Sequence, residues 1–408
     1  MMNSDVKNYL AGLLCAVFAP SAHALTQHIT AVFTPDPANV LKNEFVNTTP
    51  VSGFCAGFGH TICQNHGYFS IQAPIGGSSP DLGPGVPVIY ANHANPRDGA
   101  MFKVPSEWRD VPVTHTRTGE VETVQMRISG IGQATVTRPG IDVWPWRGFT
   151  NVSAPCVASG LSSGGGVNLR FFWLVPEGAG ACGVKPIRDA TRFAFASMDY
   201  SYALKTPNPL SMSSGEYTGT LNYTMGPGRD FDFGDVVISD EDTLTFNFTL
   251  EVQHALKVEV PPGGNRVELV PQGGWQAWLN QGRKPARLFR DQTFNISASS
   301  RFKMQLECQY SQDGKTCSLH EPLSGHFVPL NISVSLPNGL TDATGQPVNR
   351  RPLLLDGSGT ELFQPGFYVE RKPGTLHFEI AREKVEEMLT GVAKKYSGTV
   401  TVIWDSEV

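Results

Sequence analysis

With 408 residues the chain is long enough for two domains, each with its own core. Only 17% of its residues are charged while 42 are glycine and 30 proline, a composition that suits many short strands joined by turns and excludes a mainly helical protein. The formal net charge of -5, without a basic run, lacks the electrostatic footprint of a nucleic-acid binder and excludes DNA and RNA as partners.

In chain order, residues 1–24 read as a secretory signal peptide: Lys7 in the n-region, an apolar run from Tyr9 to Phe18, and the small-residue site Ala22-His-Ala24. The mature chain is expected to begin at Leu25. Leu25 to Phe33 alternates loosely as a first strand, and Gly76 to Asn95 is a long turn-forming segment. Strands are predicted at Glu120 to Ile128, Gly132 to Thr137, Val167 to Val175, Phe193 to Leu204 and Tyr217 to Met225. Asp230, Asp232, Asp235, Asp240, Glu241 and Asp242 make a polar acidic linker, which places the domain boundary between Arg229 and Asp242 and gives domains at 25–235 and 243–408.

The second domain is expected to open with the alternation of Phe246, Phe248, Leu250 and Val252, followed by strands at Leu256 to Val260, Val267 to Val270, Thr293 to Ser297, Phe302 to Cys308, Val328 to Leu336 and Thr375 to Ile380. One helix is predicted over Ala381 to Val392, where Val385, Met388, Leu389 and Val392 share a face. The chain then ends in a strand, Thr399 to Trp404, with Val400, Val402 and Trp404 on one side. An unpaired strand edge invites pairing, so this sheet is expected to be completed by another segment or molecule. Tyr217-Thr-Gly-Thr-Leu matches Tyr396-Ser-Gly-Thr-Val, the trace of two related β-domains in tandem.

Beyond the signal peptide, Cys55, Cys63, Cys156, Cys182, Cys308 and Cys317 remain. In an exported protein an even count reads as disulfides; sequential grouping gives short loops, although six cysteines allow about fifteen connectivities. No C-x-x-C or H-x-x-x-H spacing is present, so no metal or other cofactor is expected.

Catalytic signals are weak. Gly160-Leu-Ser162-Ser-Gly164 matches the nucleophile elbow in letters but lacks the strand before it and the helix after it, and His93 and Asp98 sit among turn residues. No catalytic residues are assigned. Six N-x-S/T triplets, at Asn47, Asn151, Asn222, Asn247, Asn295 and Asn331, are what polar alternating strands generate by themselves. Trp144, Trp146, Arg147 and Asn151 form the candidate binding surface. Tryptophan offers a flat apolar face, and arginine and asparagine offer directed hydrogen bonds, a combination suited to a sugar ring or a protein hot spot. The competing reading puts either tryptophan in the core.

With its signal peptide, two β-domains, cysteine pairs and the ending Tyr396-Ser-Gly-Thr-Val-Thr-Val-Ile-Trp404, the chain resembles a tip adhesin or minor subunit of a bacterial chaperone–usher fimbria. The resemblance covers Thr243 to Val408 best, and departs from the family pattern in following Trp404 with Asp-Ser-Glu-Val. It implies an all-β protein of two tandem immunoglobulin-like β-sandwich domains. The C-terminal one would be an incomplete pilin domain, completed by a strand from a periplasmic chaperone and then from the neighbouring fimbrial subunit, with Val400, Val402 and Trp404 at that interface. It further implies export through the periplasm, an outer-membrane usher, a place in the fimbrium at the cell surface, and a non-enzymatic adhesin whose first domain binds a glycan or protein receptor. The alternative is a structural adaptor in which Leu25 to Phe33 is itself a donor strand.

Overall fold

The computed structural model describes residues 24–406 apart from Phe58, Gly67, Tyr68, Ser153, Arg283 and residues 391–394. The expected signal peptide lies outside the described residues except for Ala24. The fold is all-β, built among the described residues on two large apolar cores, one drawn from residues 29–252 and the other from residues 288–385, with a smaller apolar cluster of Phe54, Cys55, Cys63, Leu161 and Phe172.

The first core is wrapped by a twelve-stranded sheet. Its main strands are β1 (Ala24–Phe33), β2 (Arg109–His115), β3 (Val121–Arg138), β4 (Val157–Gly165), β5 (Asn168–Leu174), β6 (Arg192–Lys205), β7 (Gly215–Thr224) and β8 (Thr243–Val252). Adjacent strands run β6-β3-β2-β7-β8-β1, and β5 pairs with both β3 and β4. Two expected strands, Glu120 to Ile128 and Gly132 to Thr137, are the single strand β3. The intervening glycines are close approaches rather than breaks: a Cβ on Gly130 would stand 2.8 Å from the Phe172 ring, and one on Gly132 would stand 2.5 Å from the Phe171 carbonyl oxygen.

The expected boundary is corrected. β8 pairs in parallel with β1 from Ala24↔Thr243 to Phe33↔Val252 and antiparallel with β7, and its Leu244, Phe246, Phe248, Leu250 and Val252 are buried in the first core. The first domain therefore extends to Val252. The acidic run that resembled a linker is folded, because distant cations and backbone donors neutralise it. Arg97 bridges Asp232 (2.7 Å) and Asp235 (2.6 Å), Arg109 pairs with Asp230, and the Gly76 N–H donates to Asp240 (2.7 Å). The true junction is Gln253 to Ala255. There the His254 ring lies 2.9 Å from the Met212 carbonyl on one side and 3.1 Å from Ser299 Oγ on the other.

The second domain contains β9 (Leu256–Glu259), β10 (Leu288–Ala298), β11 (Lys303–Cys308), β12 (Cys317–Glu321), β13 (His326–Ser335), β14 (Val369–Ile380) and β15 (Val400–Asp405). One sheet runs β9-β10-β14-β13-β12, while β11 and β15 form a separate antiparallel pair. Of the expected Val267 to Val270 strand only the Val270↔Phe289 bridge exists. The expected helix is Arg382–Met388, with Val385 in the core.

The three disulfides join Cys55 to Cys63, Cys156 to Cys182 and Cys308 to Cys317, separations of 8, 26 and 9 residues. Loop-closure entropy predicts that replacing the Cys156–Cys182 pair by alanines costs about 3.5 kcal/mol, and replacing either of the others about 2.5. Urea unfolding of the three double variants checks the ranking. A larger loss at Cys308–Cys317 would show that packing, not loop length, sets these terms.

Candidate functional site

The expected binding segment divides in two. Trp144 is buried, donates from Nε1 to Thr137 Oγ1 (3.1 Å) and meets Phe149 and Phe193 edge-on at 5.2 and 5.6 Å. It is a core residue, and its expected role as a ligand contact is corrected: a ring enclosed by aromatics has no face left for a ligand. Trp146 is 89% exposed. The turn carrying it is fastened at both ends, by Trp144 and by Trp173 Nε1 donating to the Phe149 carbonyl (2.7 Å). Between these anchors the Arg147 carbonyl accepts from the Thr150 and Asn151 N–H groups, Arg147 takes a left-handed φ of 58°, and its guanidinium lies 5.9 Å from the Trp146 ring centre. Arg147 and Asn151 are exposed. Trp146, Arg147 and Asn151 thus share a rigid, outward-facing turn.

One loop joins the chain just before this turn, and a second loop joins the first. The Ile187 N–H donates to the Val143 carbonyl (2.7 Å), and the Ala91 N–H donates to Asp189 (2.8 Å). They bring two further exposed apolar residues, Ile187 and Tyr90. Neither was legible in the sequence, because they lie some forty to sixty positions from Trp146 and only tertiary contacts link their loops to it.

The second candidate surface is an edge. β15 pairs with β11 from Lys303↔Asp405 to Cys308↔Val400, and no strand among the described residues pairs with its other side. Val400, Val402 and Trp404 lie against the second core yet remain half-exposed, with the Trp404 ring 5.0 Å from Phe294 and 5.8 Å from Phe302. By contrast β7, which carries the matching Tyr217 sequence, is paired on both sides, with β2 and with β8, and Tyr217 is fully buried. In the other sheet of the second domain the end strands are β9 and β12.

Ser162 lies inside β4, paired with Phe171, not at a strand-to-helix turn. A relay-like ladder that the sequence did not reveal crosses the second domain: Ser335 Oγ is 2.9 Å from His377 Nε2, and His377 Nδ1 is 2.7 Å from Asp291 Oδ1. The same serine oxygen accepts from the Arg350 N–H (3.0 Å) and stands 3.1 Å from Asn349 Oδ1. A hydroxyl divided among three partners clamps the positive-φ turn at Arg350 (φ 47°) instead of standing ready to attack. No group of three or more His, Cys, Asp or Glu that could hold a metal occurs among the described residues.

Asp199 on β6 is buried beneath the Cys55–Cys63 knuckle, where it accepts from Gln72 Nε2 (3.2 Å) and from the Phe54 backbone N–H. Burial pushes its carboxyl up from 3.8 to about 6, against the opposing pull of these hydrogen bonds and of Arg170. The folded state therefore holds this proton more tightly than the unfolded chain does. The resulting stabilisation is complete below the unfolded value of 3.8 and is lost as pH rises through about 6. Asp199→Asn should accordingly raise stability at neutral pH by about 2 kcal/mol and leave it unchanged at about pH 4. Thermal melts of both proteins across that range check this; an equal loss at both ends would place the carboxylate in a favourable charged network instead.

No family model and no curated protein matches this sequence. Among solved structures, the chain is similar to CfaE, the adhesive subunit of CFA/I fimbria of enterotoxigenic Escherichia coli, at 12% identity over 93% of this chain and 92% of that one, with a TM-score of 0.23. It is similar to a chaperone–tip adhesin complex of CFA/I fimbriae at 11% identity, covering 94% and 97%, with a TM-score of 0.23. The CsuC–CsuE chaperone–tip adhesion subunit pre-assembly complex of the archaic Csu pili of Acinetobacter baumannii gives 11% identity, coverage of 94% and 98%, and a TM-score of 0.22.

Proposed function

We propose that the chain is a fimbrial tip adhesin: its first domain binds a surface receptor and its second joins the fibre by accepting a donor strand. The observation that carries this reading is β15, which has a partner on one edge only and leaves Val400, Val402 and Trp404 half-exposed beside an otherwise closed core. An added strand with alternating apolar residues would satisfy the backbone groups of that edge and cover those side chains together. A periplasmic chaperone and then a neighbouring subunit supply such a strand, with an outer-membrane usher between them and the cell surface as destination. The receptor contacts are Trp146, Arg147 and Asn151.

The adaptor reading needs a free N-terminal donor. β1 is instead held in the first sheet by ten registered pairs with β8, which supports the adhesin. The test is to supply the strand in cis: a chain carrying a fused donor should stay monomeric where the bare chain associates.

A further inference from the structure

The outer edge of β3 changes partner midway: residues 121–126 pair with β2 and residues 130–136 with β5. Where the two partners part, a cleft of about 390 Å³ opens, lined in part by Phe69, Arg127, Ser129, Val157, Ser201 and Tyr202. That volume lies in the range of small-ligand sites.

Arg127 is the informative residue. Its Nη1 donates to the Val175 carbonyl (2.9 Å), and its guanidinium lies 5.4 Å from the Trp108 ring centre. Nε is shut off from water and has no acceptor, and no carboxylate pairs with this guanidinium among the described residues. The nearby Glu177 is engaged by Trp108 Nε1 (2.8 Å), and a second cation, Lys205, stands 4.0 Å over the same indole. A partly buried guanidinium with donors to spare is matched by a planar anion, above all a carboxylate. Beside it Ser129 Oγ and Ser201 Oγ lie 3.0 Å apart, and two hydroxyls sharing one hydrogen bond keep a second proton to donate. The remaining wall is the half-buried Phe69, braced edge-on at 4.8 Å by the buried Tyr202, whose hydroxyl is held by Thr49 (2.8 Å) and Asn47 (3.1 Å).

We propose that this cleft is a binding site for an acidic sugar. The carboxylate takes the Arg127 guanidinium, ring hydroxyls take the Ser129–Ser201 pair, and the apolar face of the ring lies on Phe69, which the buried Tyr202 braces from behind. The site goes beyond the turn at Trp146 and shares no residue with it.

The test is saturation-transfer NMR and calorimetry on the full chain in dilute solution, with the methyl α-glycoside of N-acetylneuraminic acid as probe and methyl β-galactoside as its neutral counterpart. The acidic glycoside should bind, more weakly as salt rises, and the neutral one should not. Arg127→Gln should weaken binding by about tenfold or more, the worth of a charge-assisted hydrogen bond, while Trp146→Ala leaves it unchanged. Val157→Trp, at a half-exposed position on the rim, should block the cleft without touching Arg127, and so gives a second reading should Arg127→Gln fold poorly. Equal binding of both glycosides, no binding of the acidic one, or unchanged affinity in Arg127→Gln or Val157→Trp would overturn the assignment. Loss of binding in Trp146→Ala alone would also overturn it, while leaving the receptor turn standing.

Discussion

A donor peptide with alternating apolar residues, fused after Val408 through a short flexible linker, should convert an association-prone chain into a monomer whose second domain unfolds cooperatively at higher temperature. The linker makes pairing intramolecular, and the effective concentration of a short flexible linker is in the millimolar range. The backbone of β15 gains hydrogen bonds along the edge that no strand among the described residues pairs with, and Val400, Val402 and Trp404 lose their contact with water. The decisive comparison is a donor of equal length carrying charges at the alternate positions. Both donors surrender the same backbone freedom on binding, so the difference between them lies in the side chains. Each apolar side chain taken into the groove contributes about 1.5–3 kcal/mol, whereas a charge forced there costs several. Three alternate positions therefore separate the donors by about 5 kcal/mol or more, comparable to the whole stability of an ordinary domain. Sedimentation and differential scanning calorimetry read the result. A bare chain that is monomeric and melts with the fused one would mean that the domain is complete without a further strand.

What the sequence conveyed and what it withheld follow from the range over which each signal acts. The strands β7 and β15 were legible because alternation is local, and β5 and β6 because each is an apolar-rich run with residues buried on both faces. The three disulfides match the sequential grouping for a similar reason: short separations keep the partners close whatever the topology. The allegiance of β8 was not legible. Its alternation is as clear as any in the chain, but alternation says that a face is buried and not against which core, and ten parallel pairs with β1 are contacts across more than two hundred residues. The acidic run from Asp230 to Asp242 misled likewise. Whether six acids are solvated or pinned depends on Arg97 and Arg109, which precede them by more than a hundred positions. The glycines of β3 split one strand into two in the sequence reading, yet Gly130 and Gly132 let the neighbouring β5 approach closely.

The two tryptophans of the proposed receptor segment, two positions apart, should respond to truncation in opposite ways. Trp144→Ala removes a buried ring packed against Phe149 and Phe193 and leaves Thr137 without its indole donor, so it should cost about 3–5 kcal/mol in unfolding free energy. Trp146→Ala removes an exposed ring and should shift stability by no more than about 0.5 kcal/mol. Its effect should appear in adhesion: an aromatic anchor at the centre of a contact is typically worth about 2 kcal/mol or more, a loss of about thirtyfold or greater. Arg147 allows a cleaner separation of contact from conformation. Its φ of 58° lies where glycine is at ease and other residues are strained, so Arg147→Gly deletes the guanidinium while preserving, and even relaxing, the turn that presents Trp146. Adhesion lost in Arg147→Gly with melting unchanged or raised would assign the guanidinium to the receptor. Adhesion retained in both Trp146→Ala and Arg147→Gly would remove the turn from the contact altogether, whatever Trp144→Ala does to the fold.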